Sequence, residues 1–147
     1  MEQQSGTGAG PVLRQEETLF VAAAAVVEQG RLLVVSKQAA PEVFYLPGGK
    51  PDPGETAAEA LARELDEELG VRPVAPRFLA DIEAMAALEK VPMRLTVFVA
   101  GLSGAPRPAA ELAGMRWIDG GEPDVRLAPA VRDQVLPLLR RDGLLAA

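Results

Sequence analysis

A length of 147 residues fits one domain with a core of its own and leaves no room for two cores and a linker. The formal net charge of −6 argues against a nucleic-acid polymer as partner, because affinity for a phosphate backbone needs clustered Lys and Arg, but a nucleotide presented with a divalent cation stays open. Cysteine and histidine are both absent, which rules out disulfides, thiolate nucleophiles, His bases and Cys- or His-ligated zinc. Carboxylates, Lys, Tyr and an activated water are what remain for acid–base work.

Residues 1–17 are rich in Gly, Gln and Glu with little to bury, the composition of a disordered tail, so a single folded domain is expected over 18–147. No basic leader precedes the apolar run at 19–27, which is too short to cross a bilayer; a cytoplasmic protein with no membrane partner is expected. The run 18–28 and the segment 31–35, separated by Gln29-Gly30, predict two hairpin strands buried on both faces. Residues 36–43 read as a loop and 44–46 as a short strand, stopped by Pro47-Gly48-Gly49, a turn that lets backbone approach a ligand.

The prolines of Lys50-Pro51-Asp52-Pro53-Gly54 exclude a helix there, and one is predicted from Glu55-Thr56 to Gly70. Thr56 is its expected N-cap, Glu59 completes a capping box, and Gly70 takes the C′ position. Two strands, 76–88 and 91–100, are expected around Glu89-Lys90, followed by a Pro/Gly loop at 101–110 and a strand at 115–118. An amphipathic helix over 128–141 turns Val131, Val135, Leu138 and Leu139 inward, with Pro137 set to kink or end it.

Within the 55–70 helix, a rotation of 100° per residue puts Ala57, Ala58, Leu61, Ala62, Leu65 and Leu69 on one side and Glu64, Glu67 and Glu68 on an arc beside it. Glu59 forms an i,i+4 pair with Arg63, and Glu59 and Asp66 read as a solvated face. Three carboxylates on one edge repel one another unless a cation neutralises them, and an oxygen-only set suits Mg²⁺ or Mn²⁺ shared with substrate phosphates. The chemistry so implied is hydrolysis of a phosphoric anhydride by a water whose proton a carboxylate takes.

The order Gly49, five residues, Glu55, seven residues, Arg63-Glu64-Leu65, one residue, Glu67-Glu68, one residue, Gly70-Val71 resembles the full signature box of the Nudix hydrolase superfamily, in its MutT-like branch. Seven fixed identities at roughly 5–10 % background make a chance match at a given start on the order of one in 10⁸. The resemblance implies an α/β/α sandwich, with a mixed β-sheet between the box helix and a C-terminal helix. It implies Glu67 and Glu68 as principal metal ligands, Glu64 as a further ligand or general base, Arg63 orienting these carboxylates, Glu55 supporting the loop–helix junction, and the carbonyl of Gly48 or Gly49 completing a metal's shell. Glu111, a few residues before Trp117 in ELAGMRW, stands where relatives carry an extra ligand or base. Lys37 stands where they turn a basic residue to substrate, and Phe44 or Tyr45 borders the base pocket; Lys50 and Asp52 read as loop solvation.

The activity implied is a Mg²⁺-dependent pyrophosphohydrolase of a nucleoside diphosphate linked to another group, most simply a nucleoside triphosphate cleaved to monophosphate and pyrophosphate. An ADP-ribose or nucleotide-sugar pyrophosphatase is the alternative within the enzyme class, and a non-catalytic nucleotide-sensing module the alternative outside it. Either a monomer or a homodimer is compatible with the sequence.

Overall fold

The computed structural model describes residues 18–146; the N-terminal segment read as a tail lies outside them. Strand β1 (Leu19–Ala25) is followed by the hairpin of β2 (Val27–Glu28) and β3 (Arg31–Lys37), then by β4 (Ala40–Tyr45) and β5 (Gly48–Gly49). Helix α1 (Ala57–Leu69) leads to the long β6–β7 hairpin (Pro73–Met85 and Pro92–Leu102), and β8 (Leu112–Ile118) and β9 (Arg126–Leu127) precede the C-terminal helical segment. One sheet has the order β5-β1-β7-β6, with β1 parallel to β7; the other has the order β2-β3-β4-β9, with β8 pairing β3.

The two sheets form the middle layer of a mixed α/β/α sandwich, as alternate residues of the central strands show. Ala22, Ala24 and Val26 of the β1 segment and Leu33 and Val35 of β3 join Leu61, Leu65 and Leu69 of α1 in one core. Their neighbours Ala23, Ala25, Leu32 and Val34 join Val131, Val135 and Leu139 of the C-terminal segment in the other. With period 2 along the strand, each residue faces one helix or the other, so β1 and the 32–35 segment of β3 are continuously apolar. Ala22, Ala23, Ala24 and Ala25 are fully buried, and their small side chains let the Gly48–Gly49 backbone come up beside them.

Several predicted boundaries move. The apolar run 18–28 is two strands: β1 lies between β5 and β7, while only β2 forms the hairpin with β3 around Gln29-Gly30. A run buried on both faces carries no mark of which strand it bonds to, so hydrophobicity alone concealed the switch at Val26. Residues 36–43 are not a loop; β3 and β4 pair as far as Lys37 and Ala40. Pro41 and Glu42 are exposed, giving this stretch the polar, proline-bearing composition of a loop although it is strand. The β6–β7 hairpin forms as expected, its tip running from Ala86, which bonds Val91, through Lys90 at φ 61°.

Helix α1 has the expected capping box and ends on Gly70 in the left-handed conformation at φ 68°. Ala58 is exposed and Ala60 takes its place in the core. The expected Glu59–Arg63 pair is replaced: Glu59 accepts from the Thr56 amide, and Arg63 is taken by Glu55. Pro137 does not end the C-terminal helix. Val131–Val135 forms a π-helical turn, with the Leu136 amide donating to the Val131 carbonyl, and α2 (Leu136–Arg141) continues from it. The wider turn absorbs a residue that can neither donate to nor clear the carbonyl four positions back. Among the described residues, no helix is long and apolar enough to cross a membrane.

Candidate active site

The glycine turn and the acidic edge of α1 meet because Gly48 and Gly49 pair with Ala23 and Ala22 as a two-residue strand. Gly48 has φ 150°, and a Cβ there would overlap the Ala22 carbonyl, while one on Gly49 would overlap the Glu64 carboxylate. Gly48 therefore admits only hydrogen, while a side chain on Gly49 would have to push the Glu64 carboxylate aside, and the backbone of both lies against the glutamate edge. The Gly48 amide donates to Glu68 Oε1 at 3.3 Å.

Behind this contact stands Arg63. Its guanidinium donates to both oxygens of Glu55 at 2.7 and 2.9 Å, to Glu64 Oε2 at 3.1 Å and to the Lys50 carbonyl at 3.0 Å. Asp52 and Glu67 lie 3.4 and 3.6 Å from it. Glu55 also accepts from the Asp52 amide at 2.7 Å, so one planar cation fastens the 50–55 loop to the middle of α1. The Arg63 hydrogen bonds hold the Glu55 carboxyl down at about 2, and those same bonds raise the pKa of Arg63. Asp52, read from sequence as loop solvation, belongs to this network.

The remaining acid comes from far along the chain. The last turn of α1 leaves carbonyls without helical donors. The amides of Ala109 and Arg107 fill two of these places, bonding the carbonyls of Glu68 and Leu69 at 2.8 and 3.0 Å. This tether, together with the pairing of Lys37 opposite Leu112, brings Glu111 to the site. Glu111 Oε1 lies 3.5 Å from Lys37 Nζ.

Glu68 is 5 % exposed, an extreme for a carboxylate, and burial followed by the charge of Glu64 pushes its pKa up to about 7. Glu64 is raised as well, first by burial, with Arg63 opposing and Glu67 and Glu111 adding to the rise. Both shifts record first the burial of a charge and then the repulsion of neighbouring carboxylates. An oxygen-only donor set, a glycine backbone that a methyl group would displace, and two carboxylates whose charge is under-compensated fit a hard divalent cation. Among the described residues no three acids are drawn together as a ligand group; Arg63 pairs with Glu64 and Glu67, and Lys37 with Glu111.

These groups line one end of a cleft of about 550 Å³, with Lys37, Tyr45, Gly48, Gly49, Glu64, Glu67, Glu68 and Glu111 all on its wall. The volume lies within the range of small-molecule sites. Tyr45 borders the cleft, but its hydroxyl is buried without a hydrogen-bond partner; burial and then Glu68, Glu111 and Glu89 raise its pKa, so it stays protonated. Phe44 packs into the core on the C-terminal side and Trp117 into the core beneath α1. The other end of the cleft was not singled out in the sequence: Val21, Met93 and Leu95 come from β1 and β7, Ala86 and Leu88 from the hairpin tip, and Val131 from the π-helical turn. Ordinary apolar strand residues carry no mark of facing a cleft, so no local signal could have found them.

A core on each side of the mixed sheet thus carries a glutamate edge that faces glycine backbone in an open cleft. Residues 18–139 match the NUDIX domain family, and the chain belongs to it, in the MutT-like branch. The chain is 37 % identical over 126 residues to a putative 8-oxo-dGTP diphosphatase 2 of Mycobacterium tuberculosis, a match covering 82 % of this chain and 88 % of the relative. Among solved structures it is similar to a MutT NUDIX hydrolase from Burkholderia pseudomallei, with TM-score 0.69 and 30 % identity over 80 % of this chain and 95 % of that one. The ORF135 protein of E. coli superposes with TM-score 0.67 at 26 % identity, covering 89 % of this chain and 92 % of that chain.

Proposed function

We propose that this Nudix pyrophosphohydrolase cleaves a nucleoside triphosphate to the monophosphate and pyrophosphate, and that it requires Mg²⁺ or Mn²⁺. The observation that carries this reading is the continuity of one cleft from the four glutamates to an apolar end of a size to take a nucleoside. The diphosphatase name of the mycobacterial relative supports a nucleotide as substrate.

Glu64, Glu67 and Glu68, with the Gly48 carbonyl and Glu111, would hold the cation, whose charge neutralises the oxygens of the phosphate chain. Lys37 binds the phosphate chain in exchange for its pair with Glu111. Arg63 keeps the Glu64 carboxylate oriented through Oε2, leaving its other oxygen to take the proton of the attacking water. Glu55 acts through Arg63, holding the loop and the helix in register so that Gly48 and Glu64 keep their separation.

The test is release of pyrophosphate from a broad nucleotide panel by the purified full chain, with and without Mg²⁺. Metal-dependent release, reduced by Glu67→Gln by about two orders of magnitude or more, is the expected result. A silent panel alongside tight nucleotide binding would overturn the enzymatic reading in favour of a sensing module.

A further inference from the structure

Away from the glutamates, the cleft contains almost nothing able to read a hydrogen-bond pattern. Its walls there are Leu19, Val21, Met93 and Leu95 on the sheet side and Ala128, Ala130 and Val131 on the helix side. Among the described residues, no Asn, Gln, Ser, Thr or Arg lines the cleft, and the Tyr45 hydroxyl is shut off from water. Glu89, at the exposed hairpin tip, adds a charged side chain to the lining.

The main chain is equally committed. Leu19 and Val21 pair with Met93 and Leu95 in the β1–β7 ladder. The Ala128 amide donates to the Phe44 carbonyl, and the Ala128 carbonyl accepts from Val131 and Arg132. The Ala86 amide donates to Val91, and its carbonyl accepts from Lys90. The walls formed by these residues therefore offer mainly carbon surface, with the backbone of the paired strand residues and of Ala86 and Ala128 already engaged.

Resting on the nucleotide reading above, we infer that the base is held by apolar contact and shape, so that this enzyme discriminates only weakly among bases, including between an ordinary and an oxidised purine. The magnitudes follow from the chemistry of selection. A pocket built to hydrogen-bond its ligand rejects an analogue lacking the partner by about 10⁴–10⁵, because its own polar groups are left unpaired. A hydrophobic pocket separates ligands by about 10- to 200-fold for a methylene, and by about 100-fold for an added hydroxyl. With an exposed, water-solvated Glu89 carboxylate as the reader on this wall among the described residues, the second regime dominates. The substrate class is thus a nucleoside triphosphate defined by its phosphate chain and its bulk, with the pattern on the base edge of little account.

The experiment compares kcat/KM for the four canonical deoxynucleoside triphosphates and 8-oxo-dGTP, measured on the full chain with Mg²⁺. In parallel, Kd is measured for the same bases as α,β-methylene analogues that cannot be cleaved between the α and β phosphates. The expected spread is within about 200-fold in both series. A preference beyond that for any one base overturns the inference and implies a reader that the cleft forms on binding. If nothing is hydrolysed but the analogues bind, the catalytic reading fails and the spread in Kd alone decides this one by the same threshold. If none of the nucleotides binds, both are overturned.

Discussion

At one end of the cleft, Glu64, Glu67, Glu68 and Glu111 arrive from α1 and from the loop after β7, are partly held by Arg63 and Lys37, and carry more negative charge than their surroundings compensate. At the other, Val21, Met93 and Leu95 stand on two strands whose backbone bonds are complete. The first end is unstable as it stands and gains from a ligand; the second belongs to a finished sheet and merely offers surface. Bond-breaking machinery has to be under-satisfied before substrate arrives, because its charges are complementary to the bound state. A surface that accepts by shape has no such requirement and can share its residues with the core. Val21, Met93 and Leu95 pack against that core as well as facing the cleft.

The strongest way to break this contrast is to satisfy the charged end artificially. Glu68→Gln is expected to lower kcat/KM by about 10²–10⁴ at saturating Mg²⁺. It should also raise the Tm of the metal-free protein at pH 8, because a buried carboxylate with raised pKa is removed. Rate assays paired with thermal denaturation check both; a fall in activity together with a fall in Tm would contradict the charge argument. Next in size is Gly49→Ala, whose methyl group would displace the Glu64 carboxylate without backbone strain. A loss of about 100-fold in kcat is expected, the scale of a displacement near 1 Å, with metal affinity measured alongside.

A third prediction concerns pH. Glu68 in the folded protein has a pKa of about 7, above the roughly 4.3 of an unfolded glutamate. The folded state binds more protons in that window, so stability of the metal-free protein should fall as pH rises from about 4.5 to 7 and then level off. Added Mg²⁺ at pH 8 should recover about 2.7 kcal/mol at a hundredfold excess over its Kd, visible as a shift in the denaturation midpoint. A metal-free profile that rises with pH through this window would overturn the assignment. The smallest effect tests the scaffold shared by both ends: Thr56→Ala removes the hydroxyl that caps α1. A loss of about 1 kcal/mol is expected, a few degrees in Tm, with kcat/KM essentially unchanged.

Residues 49–71 were readable because their constraints are local. A capping box, two prolines, a terminal glycine and the spacing of Glu64, Glu67 and Glu68 all act within about four residues, and α1 follows them closely. Arg63 illustrates the border of that legibility. Its charge suggested a neighbour at i−4, yet it folded back to Glu55, because a bidentate carboxylate contact fixed by the 50–55 loop is stronger than an exposed helix pair. Residues 36–43 failed in the other direction, since edge exposure gave strand residues the look of a loop.

By itself, the sequence determined the class of chemistry: carboxylates without His or Cys, glycine where a backbone must lie against a carboxylate, and a helix to present the acids. Only the tertiary structure decided how the apolar run from Thr18 divides between two sheets, how Glu111 reaches Glu68, and which strand residues become the far wall of the cleft. The reason lies in range. Hydrogen-bond caps and helical periodicity are written over a few residues. The partner of a strand and the lining of a cleft, by contrast, depend on segments dozens of residues apart whose side chains look alike in isolation.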